Sequence, residues 1–293
     1  MRKPQVKKKD RWPELCKLVE KDDGLPTRES GTWAEEKLYF WNRYIDIATS
    51  SMVGHPGWPE GLVYLDLFAG PGVCTIRNSN RRVPGSPLIA ANAPKQFRKI
   101  LLCELDPKNA QACEYRLKKS PARERYKLFF GDCNEQISQI VKEIPRGALT
   151  LAFLDPTGLH ARINTIKILA ETRRVDLLIL FPDAIDVIRN VESYIPKLDS
   201  NLDQVLGSDS NWREEWRALG GAEGSKARQL FSMIYKRQLE KHAKYTVFGE
   251  EVIKGKNGPL YRLVFASKHD RGLEFWDKIT KKELGGQSRF NFE

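Results

Sequence analysis

The chain has 293 residues, of which 41% are hydrophobic and 10% aromatic, and its formal net charge is +11. That length and composition support a packed core and argue against global disorder, and no apolar run approaches the length that crosses a bilayer. The basic balance favours acidic partners such as nucleic acid, although a solvated Lys/Arg surface would explain it equally well.

The first residues, Arg2 to Arg11, form a Lys/Arg-rich arm, and residues 12–30 read as a loose lead-in. From Thr32 the pattern changes. Trp33, Leu38, Phe40, Trp41, Tyr44, Ile45 and Ile47 recur at helical spacing, which predicts a helix over 33–52. Thr32 followed by Glu35 has the form of a capping box at its start. Pro and Gly residues over 55–60 break it.

Strands and helices then alternate. Apolar runs at 62–67, 100–103, 126–130, 149–154 and 176–181 read as strands. Between them, 107–118, 134–143 and 165–172 read as helices. Short continuous apolar runs divided by helices predict a parallel sheet covered on both faces. Residues 184–224 read as a mostly helical insertion carrying Tyr194, Trp212 and Trp216. A helix is expected over 225–242. Tyr245 to Ile253 and Leu260 to Phe265 flank a Gly/Asn-rich turn and read as an antiparallel hairpin. A last short helix is expected over 272–283.

The chemistry concentrates at the strand ends. The first strand ends in Asp66 and runs into Phe68-Ala69-Gly70-Pro71-Gly72. Glycines there let the backbone approach a ligand without a Cβ in the way, and the acid can accept a bond from an amino group. Glu104 ends the second strand, where a carboxylate can hold a ribose diol. Asp132 ends the third, where an acid can meet an adenine amine, and Asp155-Pro156-Thr157-Gly158 ends the fourth. Taken singly, Asp106, Asp132 and Asp155 also fit as caps of the helices that follow. Taken together, the acids at the strand tips point to a nucleotide-cofactor site. The third glycine of a dinucleotide fingerprint is missing and no phosphate-binding GxxxxGK[ST] loop occurs, so a ligand without phosphate, S-adenosylmethionine (SAM), fits best.

These residues carry a resemblance. Asp66 to Gly72 resembles the first motif of class I methyltransferases, Glu104 and Asp132 match that class's ribose and adenine acids by position, and the final hairpin resembles its last strands. The fold this implies is a Rossmann-like α/β sheet, mostly parallel with a C-terminal antiparallel hairpin, plus an N-terminal helical segment and a helical insertion. More narrowly, residues 33–44, 64–72, 85–90, 153–159, 176–182 and 265–269 with Gly272 are similar to the three-Cys-motif partner family (TcmP). That resemblance implies a methyltransferase-like protein working with a three-Cys-motif protein of radical-SAM character.

Asp155-Pro156-Thr157-Gly158 also resembles the Asp/Asn-Pro-Pro-Tyr motif of nucleic-acid amino-methyltransferases. In those, the acid and a backbone carbonyl hold the target amine while an aromatic stacks on a flipped base. Here Thr157 and Gly158 replace the aromatic, and Phe181, His160 or an insertion tryptophan would have to stack instead. Trp212 and Trp216, beside Arg213 and Arg217, fit either a nucleic-acid face or simple packing. His160 reads as a general base or a surface residue, and Cys74 and Cys133 as reactive or merely buried thiols.

Five cysteines without a CxxC pair, and no signal peptide, fit a cytoplasmic protein with reduced thiols, no metal and no membrane partner. The expected organisation is an N-terminal arm and helix over 1–60 and a methyltransferase domain over 61–293. The expected roles are cofactor binding by Asp66, Phe68, Gly70, Gly72, Glu104 and Asp132, and handling of a nucleic-acid amine by Asp155 and Pro156. A binding module without activity of its own in a two-protein system is the alternative.

Overall fold

The computed structural model describes residues 10–220, 224–256 and 258–280. Most of the expected basic arm, residues 221–223 of the expected insertion, Asn257 of the hairpin turn and residues 281–283 of the expected last helix lie outside the described residues.

The expected lead-in is in fact ordered. It holds a short helix, α1 (Trp12–Leu18), and a three-residue strand, β1 (Arg28–Ser30). At seven residues α1 is shorter than the window over which a helical period shows, yet Trp12 and Leu15 are buried. α2 (Trp33–Met52) follows over the span its apolar spacing predicts. The capping box does not form: Thr32 makes no side-chain cap bond. Glu35 turns elsewhere, accepting a bond from Trp12 Nε1 at 3.2 Å and pairing with Arg81.

β2 (Leu62–Asp66) is buried along its whole length. The glycine turn after it opens into a hairpin, β3 (Val73–Ile76) and β4 (Arg81–Pro84), rather than directly into a helix. β1, β3 and β4 make a small three-stranded sheet. α3 (Ser86–Ala91) then starts with Pro in its first turn. Next come β5 (Lys99–Glu104), α4 (Pro107–Lys118), β6 (Tyr126–Phe130), α5 (Cys133–Lys142), β7 (Leu149–Leu154), α6 (Ile163–Thr172) and β8 (Arg174–Phe181). A π-turn over Asp183–Val187 leads into the insertion, which is helical as expected: α7 (Ile188–Tyr194), α8 (Asn201–Leu206) and α9 (Trp212–Ala218). α10 (Ser225–Ala243), β9 (Val247–Gly255), β10 (Gly258–Ser267) and α11 (Asp270–Thr280) complete the described chain.

The main sheet has seven strands in the order β6-β5-β2-β7-β8-β10-β9. β6 to β8 are parallel and β10 runs antiparallel to both its neighbours. The parallel strands are those the alternation predicts, and the antiparallel C-terminal hairpin is the one its Gly/Asn-rich turn predicts. Alternate residues of one strand serve two cores: Leu62 and Tyr64 pack with α2 on one face, Val63 and Leu65 with α5 and α6 on the other. Trp41 of α2 stacks on Phe153 of β7 at 4.8 Å, and Tyr44 meets Phe265 of β10 at 5.4 Å. The chain order reverses between β5 and β7 on either side of β2. In a parallel sheet that reversal opens a crevice beyond the carboxyl ends of the strands.

Candidate functional site

A cleft of about 580 Å³ lies at that reversal. Phe68 and Gly70 line it from the turn after β2, Glu104 from the tip of β5, Asp132 from the tip of β6, and Asp155 and Thr157 from the tip of β7. Five of the expected site residues, from four separate strand ends, therefore share one cavity. Leu105, which is 65% exposed, and Leu159 add apolar wall.

The glycine turn owes its shape to the residues around it. Gly70 has φ +62°, a left-handed conformation that costs an L side chain roughly 1–2 kcal/mol. A Cβ there would meet no atom within 4 Å, so the glycine leaves open space at the cleft wall. Glu104 fixes the turn from the next strand: its Oε2 accepts from Gly70 N at 2.6 Å and its Oε1 from Asp106 N at 2.9 Å. Arg116 holds the far side by donating to the Pro71 carbonyl at 2.6 Å. Gly85 packs so closely on Gly72 that a Cβ would lie 2.9 Å from its carbonyl atoms. Gly72 lines a small pit beside the cleft that also reaches Asp155.

Asp66 is placed beneath the turn and is not among the cleft-lining residues. It is fully buried, and its oxygens accept from Ser86 Oγ at 2.6 Å, Tyr64 Oη at 3.0 Å and Phe68 N at 3.1 Å. Burial raises its pKa to about 7 against the lowering effect of those three donors. Asp132 caps α5, accepting from Asn134 N at 2.8 Å, and Asp106 caps α4 through Asn109 N at 2.8 Å. The capping reading thus holds for both, and both also line the cleft.

Asp155 is different, because it caps nothing. The Lys37 ammonium, on α2 and 2% exposed, bonds its Oδ2, and Arg28 of β1 lies 3.6 Å from the same oxygen. Burial pulls the Lys37 pKa down against the pull of Asp155. The other oxygen, Oδ1, is buried and has no hydrogen-bond partner among the described residues. Pro156 is buried behind it. A Cβ on Gly158 would lie 3.0 Å from Asp186 Oδ2, a tight contact with the flexible end of a side chain. Arg28 and Lys37 were not singled out from the sequence. Both precede the first motif by many residues, and nothing local marks them.

Of the proposed stacking residues, Phe181 is buried against Tyr235 with ring centroids 4.6 Å apart. Trp212 and Trp216 are buried around Phe231, with their Nε1 groups donating to Asp203 and Glu192. The packing reading of the two tryptophans is the one realised. His160 stays exposed and lines the cleft. All five cysteines are free, and burial raises the Cys74 thiol pKa and pushes that of Cys133 up to about 12, so the buried-thiol reading is realised too. Among the described residues no cluster could hold a metal ion, and no helix is long and apolar enough to cross a membrane.

No family model matches the sequence, and no curated protein matches it. Solved structures of similar outline include an O-methyltransferase from Bacillus cereus in complex with SAH, at 10% identity and TM-score 0.47, covering 90% of this chain and 94% of that one. The O-methyltransferase TomG from Streptomyces achromogenes, solved with SAM, is 10% identical at TM-score 0.44, covering 89% and 99%. A protein from Legionella pneumophila is 14% identical at TM-score 0.46, covering 82% and 90%. The fold of this chain rests on its own strand order and directions, and the site on its own geometry.

Proposed function

We propose that the chain is a SAM-dependent methyltransferase acting on an amino group of a nucleic acid. The observation that carries this reading is the cleft itself, where a glycine cradle, two strand-tip carboxylates and a buried acid with one unpartnered oxygen line a single cavity. The donor set fits SAM. Glu104 and Asp132 are acceptors for ribose hydroxyls and an adenine amine, and Leu105 and Leu159 are apolar surface for the adenine ring. The space before Gly70, next to Phe68, takes the methionine end, with Gly72 shaping the turn and Asp66 holding it from beneath. None of these groups needs a phosphate.

SAM supplies a sulfonium-activated methyl group. The protein's task is then mainly positioning, which can lower a barrier by several kcal/mol. Asp155 Oδ1 accepts the acceptor's N–H and so turns its nitrogen towards the cleft, while Pro156 fixes the path of the backbone behind it. Lys37 and Arg28 occupy Oδ2 and leave Oδ1 as the free acceptor. The charge of +11 supports an anionic polymer as substrate. Free thiols, four of the five buried, suit a cytoplasmic setting. The likeness to the three-Cys-motif partner family adds a partner protein to the proposal.

The test is calorimetric titration of SAM, followed by transfer of labelled methyl to bulk RNA and DNA with and without a three-Cys-motif partner. Saturable SAM binding that Glu104→Ala weakens about tenfold supports the site. No heat with wild type and variant alike overturns it. Labelled amine in one nucleic acid supports the acceptor, and SAM binding with no transfer to either polymer overturns it.

A further inference from the structure

A second cavity, of about 470 Å³, shares no lining residue with the cleft and lies between α1 with the chain after it, the β3–β4 hairpin and the end of α4. Its floor is apolar: Leu15, Val19, Val73, Pro84 and Leu88 line it. At its rim Leu18 is 66% and Tyr115 47% exposed, among the few large hydrophobic residues so open to solvent.

Its charge has a definite pattern. Arg82 and Arg116 are almost fully buried, and both pair with Asp23, Arg82 also with Asp22. Those guanidiniums hold the Asp23 carboxyl well below the usual carboxylate range, chiefly through the hydrogen bonds from Arg116. The two acids are thus spent on the two arginines. Lys21 and Lys119 are exposed, line the same cavity, and have no carboxylate within ion-pair distance among the described residues. Lys119 Nζ sits 4.0 Å from the Tyr115 ring centre and 2.7 Å from its hydroxyl. The result is an apolar recess with an exposed aromatic ring and two uncompensated ammonium groups at its mouth.

We propose that this face docks a single-stranded segment of nucleic acid, with a base in the recess against Tyr115 and backbone phosphates on Lys21 and Lys119. Charge complementarity commits the surface to an anionic chain. The ring and the apolar floor commit it to unstacked bases, since single strands are held by basic grooves in which bases stack on aromatic side chains. The inference rests on the nucleic-acid reading of the acceptor but not on the SAM site. Arg116 joins the two, because the guanidinium that lines the recess also bonds the Pro71 carbonyl of the glycine turn.

The test is fluorescence anisotropy of labelled 12-mer RNA and DNA, single-stranded and duplex, with the full chain at several salt concentrations. Lys21→Glu/Lys119→Glu is expected to weaken single-strand binding at least tenfold and to flatten its salt dependence by more than one phosphate contact. Tyr115→Ala is expected to weaken it about tenfold with the salt dependence unchanged. Lys241→Glu/Lys244→Glu, on α10 and just after it, makes the same change of charge elsewhere and is expected to cost less than twofold. All these side chains are exposed, so the variants keep the fold, which thermal melting verifies. Equal losses in the two lysine pairs, unaffected binding in Tyr115→Ala, preference for duplex, or no binding by the wild type would each overturn the proposal. SAM titration of the same samples is read separately. Its failure removes the cofactor site and leaves the docking result standing.

Discussion

The two halves of the cleft are built in opposite ways. On the β5–β6 side, acids bond to backbone only a few residues away: Asp106 to Asn109 N, Asp132 to Asn134 N, and Glu104 Oε1 to Asp106 N. On the β7 side, Asp155 is held by Lys37, 118 residues earlier in the chain, and by Arg28. The first half is mostly local and partly open to water, with Glu104 Oε2 also reaching across to Gly70 N. The second puts a lysine and an aspartate into the core, where the cost of removing two charges from water is large and only close pairing offsets it. The same residue type at a strand tip therefore caps a helix in one place and balances a buried cation in the other.

Lys37→Met breaks that contrast hardest. It leaves Asp155 buried beside Arg28 alone, at 3.6 Å, and is expected to cost about 3–5 kcal/mol in urea unfolding. Lys37→Arg keeps the charge and is expected to recover part of this. A loss below about 1 kcal/mol would show that the pair is not buried as described.

Next is a pH effect. Burial raises the pKa of Asp66 to about 7 and those of Asp176 and Asp183 to about 6. The native state then holds protons that the unfolded chain has already released above about pH 4. Stability should accordingly fall as pH rises from about 4 to 7, by about 2–4 kcal/mol for Asp66. Asp66→Asn removes its share of the slope and keeps the shape of the turn. A stability that climbs through this window in both proteins would contradict the burial of these acids.

Glu104→Ala should separate affinity from stability. It frees Gly70 N and removes the proposed ribose acceptor, so SAM affinity falls about tenfold, or about 1.4 kcal/mol, for a stability loss near 1 kcal/mol. The smallest effect is expected of Asp132→Ala, which loses a helix cap for about 1 kcal/mol in thermal unfolding. If Asp132→Ala cost as much stability as Lys37→Met, the difference between the two halves would vanish.

Most of the sheet could be read from the chain, because each strand is a short apolar run and each helix between them has its own period. α4, β6 and β7 have the limits their patterns imply. The hairpin of β3 and β4 could not be read: four-residue strands with Arg81 and Arg82 in one of them show no alternation. Nor could α1 and β1, each shorter than the window over which a period declares itself. Capping failed at Thr32 for a tertiary reason, since Glu35 finds Trp12 and Arg81 instead of the helix start. The insertion tryptophans went to the core rather than to a surface because Phe231 of α10 lies against them.

The sequence by itself determined the elements whose forces act over a few residues: apolar period, helix caps, and the positive φ that only glycine takes easily at Gly70. Tertiary structure alone decided which acids face the cleft and which lie under it. Asp66 and Asp155 both end apolar strands, and no local pattern tells them apart. The difference comes from their partners: Tyr64 and Ser86 bond the first, whereas Lys37 and Arg28, far back in the chain, neutralise the second and leave one oxygen without a partner. Burying a charge is a balance struck with groups from elsewhere in the fold, and chain order does not record it.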